Sequence, residues 1–161
     1  MLDQLISFLR ATLAASRTGT HSLADEFARL SDYLALMKVR LGDRLHCDFD
    51  LPRELANVAV PPLLLQPLVE NSIKHAIEPN VAGGRIAVSA AREGAQLVLR
   101  VRDTGADPGD AAPEGSRFGL EQVRARLAAL HGAAASLTLE AANDAGAGSI
   151  ATLRLPFEAG A

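Results

Sequence analysis

Two pairs of alternating segments, each pair preceded by one helix-patterned stretch, constrain this chain more than any other feature. RIAVSAAR and QLVLRVRD both alternate apolar with polar residues and are joined by Glu93-Gly94-Ala95, a hairpin signal. ASLTLEA and SIATLRLP repeat the pattern across the turn residues Asn143 to Gly148. Ahead of them, HCDFDL sets Cys47, Phe49 and Leu51 against polar neighbours, the period of a half-buried strand that Pro52 ends. The order strand, helix, strand pair, helix, strand pair predicts an α+β two-layer sandwich: a mixed or antiparallel sheet with helices over one face.

The helices are marked by 3.6-residue periodicity. Ser22, with Asp25 three residues on, opens a helix whose Leu23, Phe27, Leu30, Leu34, Met37, Leu41 and Leu45 form one stripe, ending near Arg44. The proline-bounded run VPPLLLQPLVENSIKHAIEP predicts a loop entering a helix from about Leu64 to Ile77, with Pro67 in the first turn. Leu65, Leu68, Val69, Ser72, Ile73 and Ala76 share one side of it, opposite Glu70, Asn71, Lys74, His75 and Glu78. GLEQVRARLAALHG carries Leu120, Val123, Leu127 and Leu130 on one face, with Gly132 as its stop. The Gly-, Pro- and acid-rich stretch from Asp103 to Arg117 predicts a long loop of the kind that serves function. At the N-terminus, Leu2, Leu5, Ile6, Leu9 and Leu13 form a stripe interrupted by Asp3 and Arg10, neither signal peptide nor membrane span. Such a face packs against this domain or against another chain.

Composition removes other classes. With 48% hydrophobic and 22% charged residues over 161 positions the chain is one globular domain, not a disordered one. Sixteen Lys+Arg against nineteen Asp+Glu, net −3, argue against a nucleic-acid binder, and 4% aromatic residues supply few stacking platforms. The single cysteine, Cys47, excludes an internal disulfide framework and a Cys-rich zinc site, which fits a reducing cytoplasm.

Four clusters carry chemistry. Asn71 and Glu70 supply oxygen ligands of the kind Mg²⁺ takes, and Lys74 and His75 one turn on can meet phosphate oxygens. Asp103, leaving a strand, can accept a hydrogen bond from an exocyclic amine, and Gly105 permits close backbone approach. Gly115, Gly119 and Leu120 lie where a glycine-rich segment opens a helix, a potential anion site. Gly146 and Gly148 precede the last strand. Singly, each has an ordinary structural explanation as a solvated helix face or a turn.

In sequence they form a pattern. LLLQPLVENSIKHAI, VRDTG, FGLEQVRARLAALHG and GAGSIATLRLP together closely resemble the ATP-binding catalytic domain of LytS-like sensor histidine kinases, in the GHKL superfamily. The resemblance covers about Ser22 to Phe157, and PPLLLQPLVENSIKH is its most specific part. It implies the Bergerat fold with an N-terminal helical stub: residues 1–20 as the end of the dimerisation and phosphoacceptor helix, residues 21–161 as the catalytic domain. It further implies ATP and Mg²⁺ as cofactors. Asn71 then coordinates the metal, and Glu70 is the acidic neighbour tied to metal or proton handling. Lys74 and His75 lie toward the phosphates, and Asp103 recognises the adenine amino group with Gly105 beside it. Gly115, Gly119 and Leu120 end the lid, while Gly146 and Gly148 lie near the adenine. The resemblance implies that catalysis is carried by Glu70, Asn71 and Lys74.

The partners implied are the phosphoacceptor and dimerisation helices of a full-length kinase, a homodimer, and a cognate response regulator. Nucleic acid is not among them, and a membrane enters only through segments outside this chain, which would be the cytoplasmic portion of a membrane-anchored kinase. None of His21, His46, His75 or His131 has the proline-histidine-phenylalanine context of the family's phosphoacceptor. Two expected glycines are replaced by Asp107 and Arg117, and Gln122 stands for a frequent Asn. Arg117 either adds a phosphate contact or blocks backbone approach. Two alternatives follow: a regulatory module acting through its leading helices with weak or no nucleotide binding, and a GHKL ATPase or anti-sigma serine kinase.

Overall fold

The computed structural model describes residues 2–6, 20–104, 114–141 and 148–157, with only the backbone described for 114–118. Residues 2–6 form a short helix, α1, with Leu2, Leu5 and Ile6 exposed. The next elements are β1 (His21–Ser22), α2 (Leu23–Leu41), β2 (Leu45–Asp50), β3 (Ala59–Val60) and α3 (Gln66–Ser72). They are followed by β4 (Gly84–Glu93), β5 (Gln96–Asp103), α4 (Glu114–His131), β6 (Ser136–Ala141) and β7 (Ser149–Pro156). The predicted strand and helix order is therefore present, with a two-residue antiparallel pair, β1 with β3, added.

The main sheet runs β2-β4-β5-β7-β6. Its edge pair β2–β4 is parallel and every other pairing antiparallel, so the sheet is mixed. Gly94, at φ 62, closes the β4–β5 hairpin as the sequence demanded. Alternate residues on one face, among them Ile86, Val88, Leu97, Leu99, Val101, Leu153 and Leu155, join the helix stripes in a single core. The other face carries arginines and acids: Glu93 accepts hydrogen bonds from Arg100 and Arg154.

Ser22 caps α2, its Oγ accepting the Asp25 N–H at 3.1 Å. The helix ends at Leu41 and a 3₁₀ turn, Gly42–Arg44, replaces the three further residues the stripe suggested, with Gly42 at φ 61. Gly132, at φ 58, stops α4 as expected. The start of α4 differs: the helix begins at Glu114, not Gly119, so the expected loop is shorter and Gly115 and Gly119 lie inside the helix. An acidic residue just after Pro113 suits a helix N-terminus, and continuity with the packed part of α4 outweighs the roughly 1 kcal/mol that each internal glycine costs.

Candidate functional site

Asp103 closes β5, in register with Ile86 of β4 and Ser149 of β7, and so faces the helices. It is 2% exposed. A carboxylate that far from water needs donors, and three are in place. Ser72 Oγ donates to Oδ2 at 2.9 Å, Ser149 Oγ to Oδ2 at 2.8 Å, and the Ser149 N–H to Oδ1 at 3.1 Å. Gly148 makes this corner possible: it sits at φ 144, and a Cβ there would stand 2.1 Å from the Asp103 carbonyl oxygen. Next to it, Thr104 locks the strand end to β4, its Oγ1 accepting the Arg85 N–H at 2.9 Å.

Ser72 ties this corner to α3. Pro67 occupies the first turn of α3, as expected, but beyond Ser72 the helix widens into a π-turn, Ile73–Ile77, closed by the Glu78 N–H to the Ile73 carbonyl at 2.8 Å. Single π-turns recur at functional positions, and this one carries Lys74 and His75. Asn71 and His75 are half-buried on the flank next to Ser72, while Lys74 is exposed. Burial, and then Lys74, push the His75 pKa below its usual value, opposed by the nearby Asp103. Asp103, Ser72 and His75 therefore share one neighbourhood.

Glu70 takes a different direction. Successive helical residues diverge by about 100°, and Glu70 lies on the flank facing α2, where Gln66 Nε2 donates to its Oε1 at 2.9 Å. There it joins burial in pushing the Tyr33 hydroxyl up to about 12. To ligate a metal alongside Asn71 it would have to leave Gln66. Among the described residues no group of three or more His, Cys, Asp or Glu is placed to hold a metal ion. The donor set on the Asn71 flank is thus an amide oxygen, which fits a Mg²⁺ that takes its remaining ligands from phosphates and water.

Gly119 passes α3 with room to spare, a Cβ there standing 3.8 Å from Pro67 Cβ. Leu120 is a core residue, 6% exposed, packed with Val123 and Leu127. Gly115 lies in the first turn of α4, and Gly105, Asp107 and Gly146 lie outside the described residues. Sequence reasoning missed Ser72 and Ser149 as partners of Asp103. The signal was available for Ser72, a hydroxyl at a core position of an apolar stripe.

The family described as histidine kinase-, DNA gyrase B- and HSP90-like ATPase matches residues 61–159, spanning every element of the site. This chain belongs to that family. A histidine kinase family also matches residues 1–45, which contain α2. Sensor protein LytS of Staphylococcus haemolyticus is 32% identical over 151 residues, 87% of this chain and 26% of the relative. Sensor histidine kinase BtsS of Escherichia coli is 42% identical over 82 residues, 51% of this chain and 15% of the relative. The chain thus spans about a quarter or less of the length of these relatives. Among solved structures, the nucleotide-free catalytic domain of histidine kinase ThkA matches with a TM-score of 0.65 at 14% identity, covering 85% of this chain and 94% of that one. Full-length ShkA in complex with AMPPNP matches at 0.61 and 20% identity, covering 99% of this chain and 37% of that one. Both share the mixed sheet with helices on one face, so the expected sandwich is confirmed.

Proposed function

We propose that this chain is the Mg·ATP-binding catalytic domain of a LytS-like sensor histidine kinase, transferring the γ-phosphoryl group to a histidine outside it. The observation that carries this reading is the buried Asp103, held by Ser72 and Ser149 beside the Asn71 and His75 flank of α3. A carboxylate at that corner accepts from the exocyclic amine of adenine and repels the carbonyl that guanine presents instead. Ser72 and Ser149 hold hydroxyls that can rotate to share Asp103 with a ligand or a bridging water. Asn71 offers its amide oxygen to Mg²⁺, which when bound neutralises phosphate charge. Lys74 supplies a mobile cation for the phosphates, whereas His75, its pKa lowered, acts near neutral pH as an uncharged hydrogen-bonding group. Glu70 acts from the α2 side of α3, and Gly105, Gly115, Gly119, Leu120, Gly146 and Gly148 frame the lid and the adenine corner.

In this reading residues 1–20 end the dimerisation and phosphoacceptor helix and residues 21–161 form the catalytic domain. The full-length protein is a membrane-anchored homodimer with this part in the cytoplasm, passing phosphate to a response regulator. No described helix is itself long and apolar enough to cross a membrane. Calorimetry with Mg·ADP and Mg·GDP tests the proposal: binding of the first, at least tenfold tighter than the second, is expected. An absence of heat at millimolar Mg·ADP would favour the regulatory-module reading that Asp107 and Arg117 suggest. Incubated with γ-labelled ATP, the chain alone should acquire no acid-labile phosphate.

A further inference from the structure

Helix α3, taken together with the π-turn that continues it to Ile77, is held at both ends by side chains from the α2 segment. At its N-terminal end, Pro62 to Leu65 make a turn in which Leu63 takes φ 63, the one positive-φ non-glycine residue among those described. That conformation is costly for a residue with a β-carbon and persists only where its surroundings impose it. Here a carboxylate imposes it. Glu26 of α2, 3% exposed, accepts the N–H groups of Leu63 at 3.1 Å, Leu64 at 2.9 Å and Leu65 at 3.5 Å. Consecutive N–H groups of this kind form a concave anion site, and Glu26 fills it from within the fold. His21 Nε2 lies 3.2 Å from Glu26 Oε1, and Arg126 of α4 donates to the Pro62 carbonyl from the other side.

At the opposite end the charge is reversed. Arg44, just after α2, donates from Nη2 to the carbonyls of Ile77 at 3.1 Å, Glu78 at 2.9 Å and Asn80 at 2.9 Å. The chain is drawn onto Arg44 so closely that a Cβ at Gly83 would lie 2.0 Å from the Arg44 carbonyl oxygen. Between the two ends, Tyr33 feels Glu70 and Arg40 pairs with Glu78. An anion at the N-terminus and a cation at the C-terminus both match the helix dipole.

We propose that Glu26 and Arg44 are positioning residues of the nucleotide site, gripping α3 by its two poles so that α2 sets the pose of Asn71 and His75 toward a bound phosphate. This rests on the ATP reading above. Asp103 belongs to the sheet, where Ser149 of β7 holds both of its oxygens, and it is linked to α3 through Ser72, so loosening α3 disturbs the metal-and-phosphate half of the site more than the adenine half. The role therefore differs from general support, which would weaken both halves together.

The test measures ADP affinity with Mg²⁺ and with EDTA for the 161-residue chain and its Glu26→Gln and Arg44→Gln variants, alongside amide hydrogen exchange without nucleotide. Both variants should lose at least tenfold of the Mg²⁺-dependent gain in affinity while their Mg²⁺-free affinity changes less than threefold. Exchange at residues 63–65 should accelerate at least tenfold in Glu26→Gln. Unchanged Mg²⁺ dependence, a parallel loss in both conditions, or unchanged exchange at 63–65 would overturn the grip. A wild-type chain that binds no ADP but shows the exchange difference would instead contradict the ATP reading, and with it the positioning role. Should a Gln variant fail to fold, Arg44→Lys, which keeps the charge and loses the fork, should show an intermediate loss of the Mg²⁺ gain; wild-type behaviour there would also overturn the proposal.

Discussion

Glu26 and Asp103 are both buried carboxylates, 3% and 2% exposed, and each is held by several hydrogen bonds. Their donors differ in kind. Glu26 takes three consecutive backbone N–H groups, which cannot turn away, together with the His21 ring. Asp103 takes two serine hydroxyls, which rotate, and one N–H. Burial of an acid therefore does not itself mark a ligand site; donors that can be re-aimed do. Glu26 holds backbone in place, whereas Asp103 stands in a corner able to exchange partners with a visitor.

The sharpest break of this comparison is truncation. Glu26→Ala leaves the buried N–H groups of Leu64 and Leu65 and the part-buried one of Leu63 without this acceptor, at about 1–3 kcal/mol for each buried group, so a loss of at least about 3 kcal/mol is expected in chemical denaturation. Asp103→Ala removes the acceptor of the fixed Ser149 N–H and of two hydroxyls that can rotate, and should cost about 1–2 kcal/mol. The reverse order would erase the distinction. On nucleotide affinity, Asp103→Ala should be the severe change, lowering Mg·ADP binding roughly 10- to 100-fold in calorimetry through the loss of a charged hydrogen bond. Weaker again, Ser72→Ala and Ser149→Ala should each reduce affinity about three- to tenfold, and less than additively together because they share Asp103.

The smallest effect is a pH dependence. The folded-state pKa of His75 lies below its ordinary 6.5, so the unfolded chain binds more protons as pH falls through that value, and folding stability declines on acidification. His75→Gln should flatten the difference between denaturation at pH 7.5 and pH 5. Glu93 stays outside that window: the Arg154 and Arg100 hydrogen bonds hold it below 4.5, and its contribution, present above that value, is lost only in stronger acid.

The comparison also shows what the sequence could reveal. The sheet was legible because β4 and β7 alternate in burial along most of their length and β5 does so apart from Val98, and α2 and α3 because their stripes are long. The β1–β3 pair was not, since two residues carry no period. The π-turn at Ile73–Ile77 was hidden because a one-residue widening leaves the apolar stripe intact. Asp103 was legible because it ends a strand before a glycine. Glu26 was hidden behind Asp25, since adjacent acids in a first turn are ordinary helix chemistry. Yet Leu23, Glu26, Phe27 and Leu30 follow the i, i+3, i+4, i+7 rule of a buried face, as Ser72 follows it within Leu65, Leu68, Val69, Ser72, Ile73 and Ala76. A polar residue standing on such a stripe must find partners inside, and both of these do.

Amide-resolved NMR during a Mg·ADP titration tests the central claim most directly. The adenine corner should respond, with the largest shifts at Ser72, Asp103, Thr104, Gly148 and Ser149, and with smaller shifts at Leu63, Leu64 and Leu65 around Glu26. Shifts centred on the Glu26 turn, or none at saturating nucleotide, would contradict it.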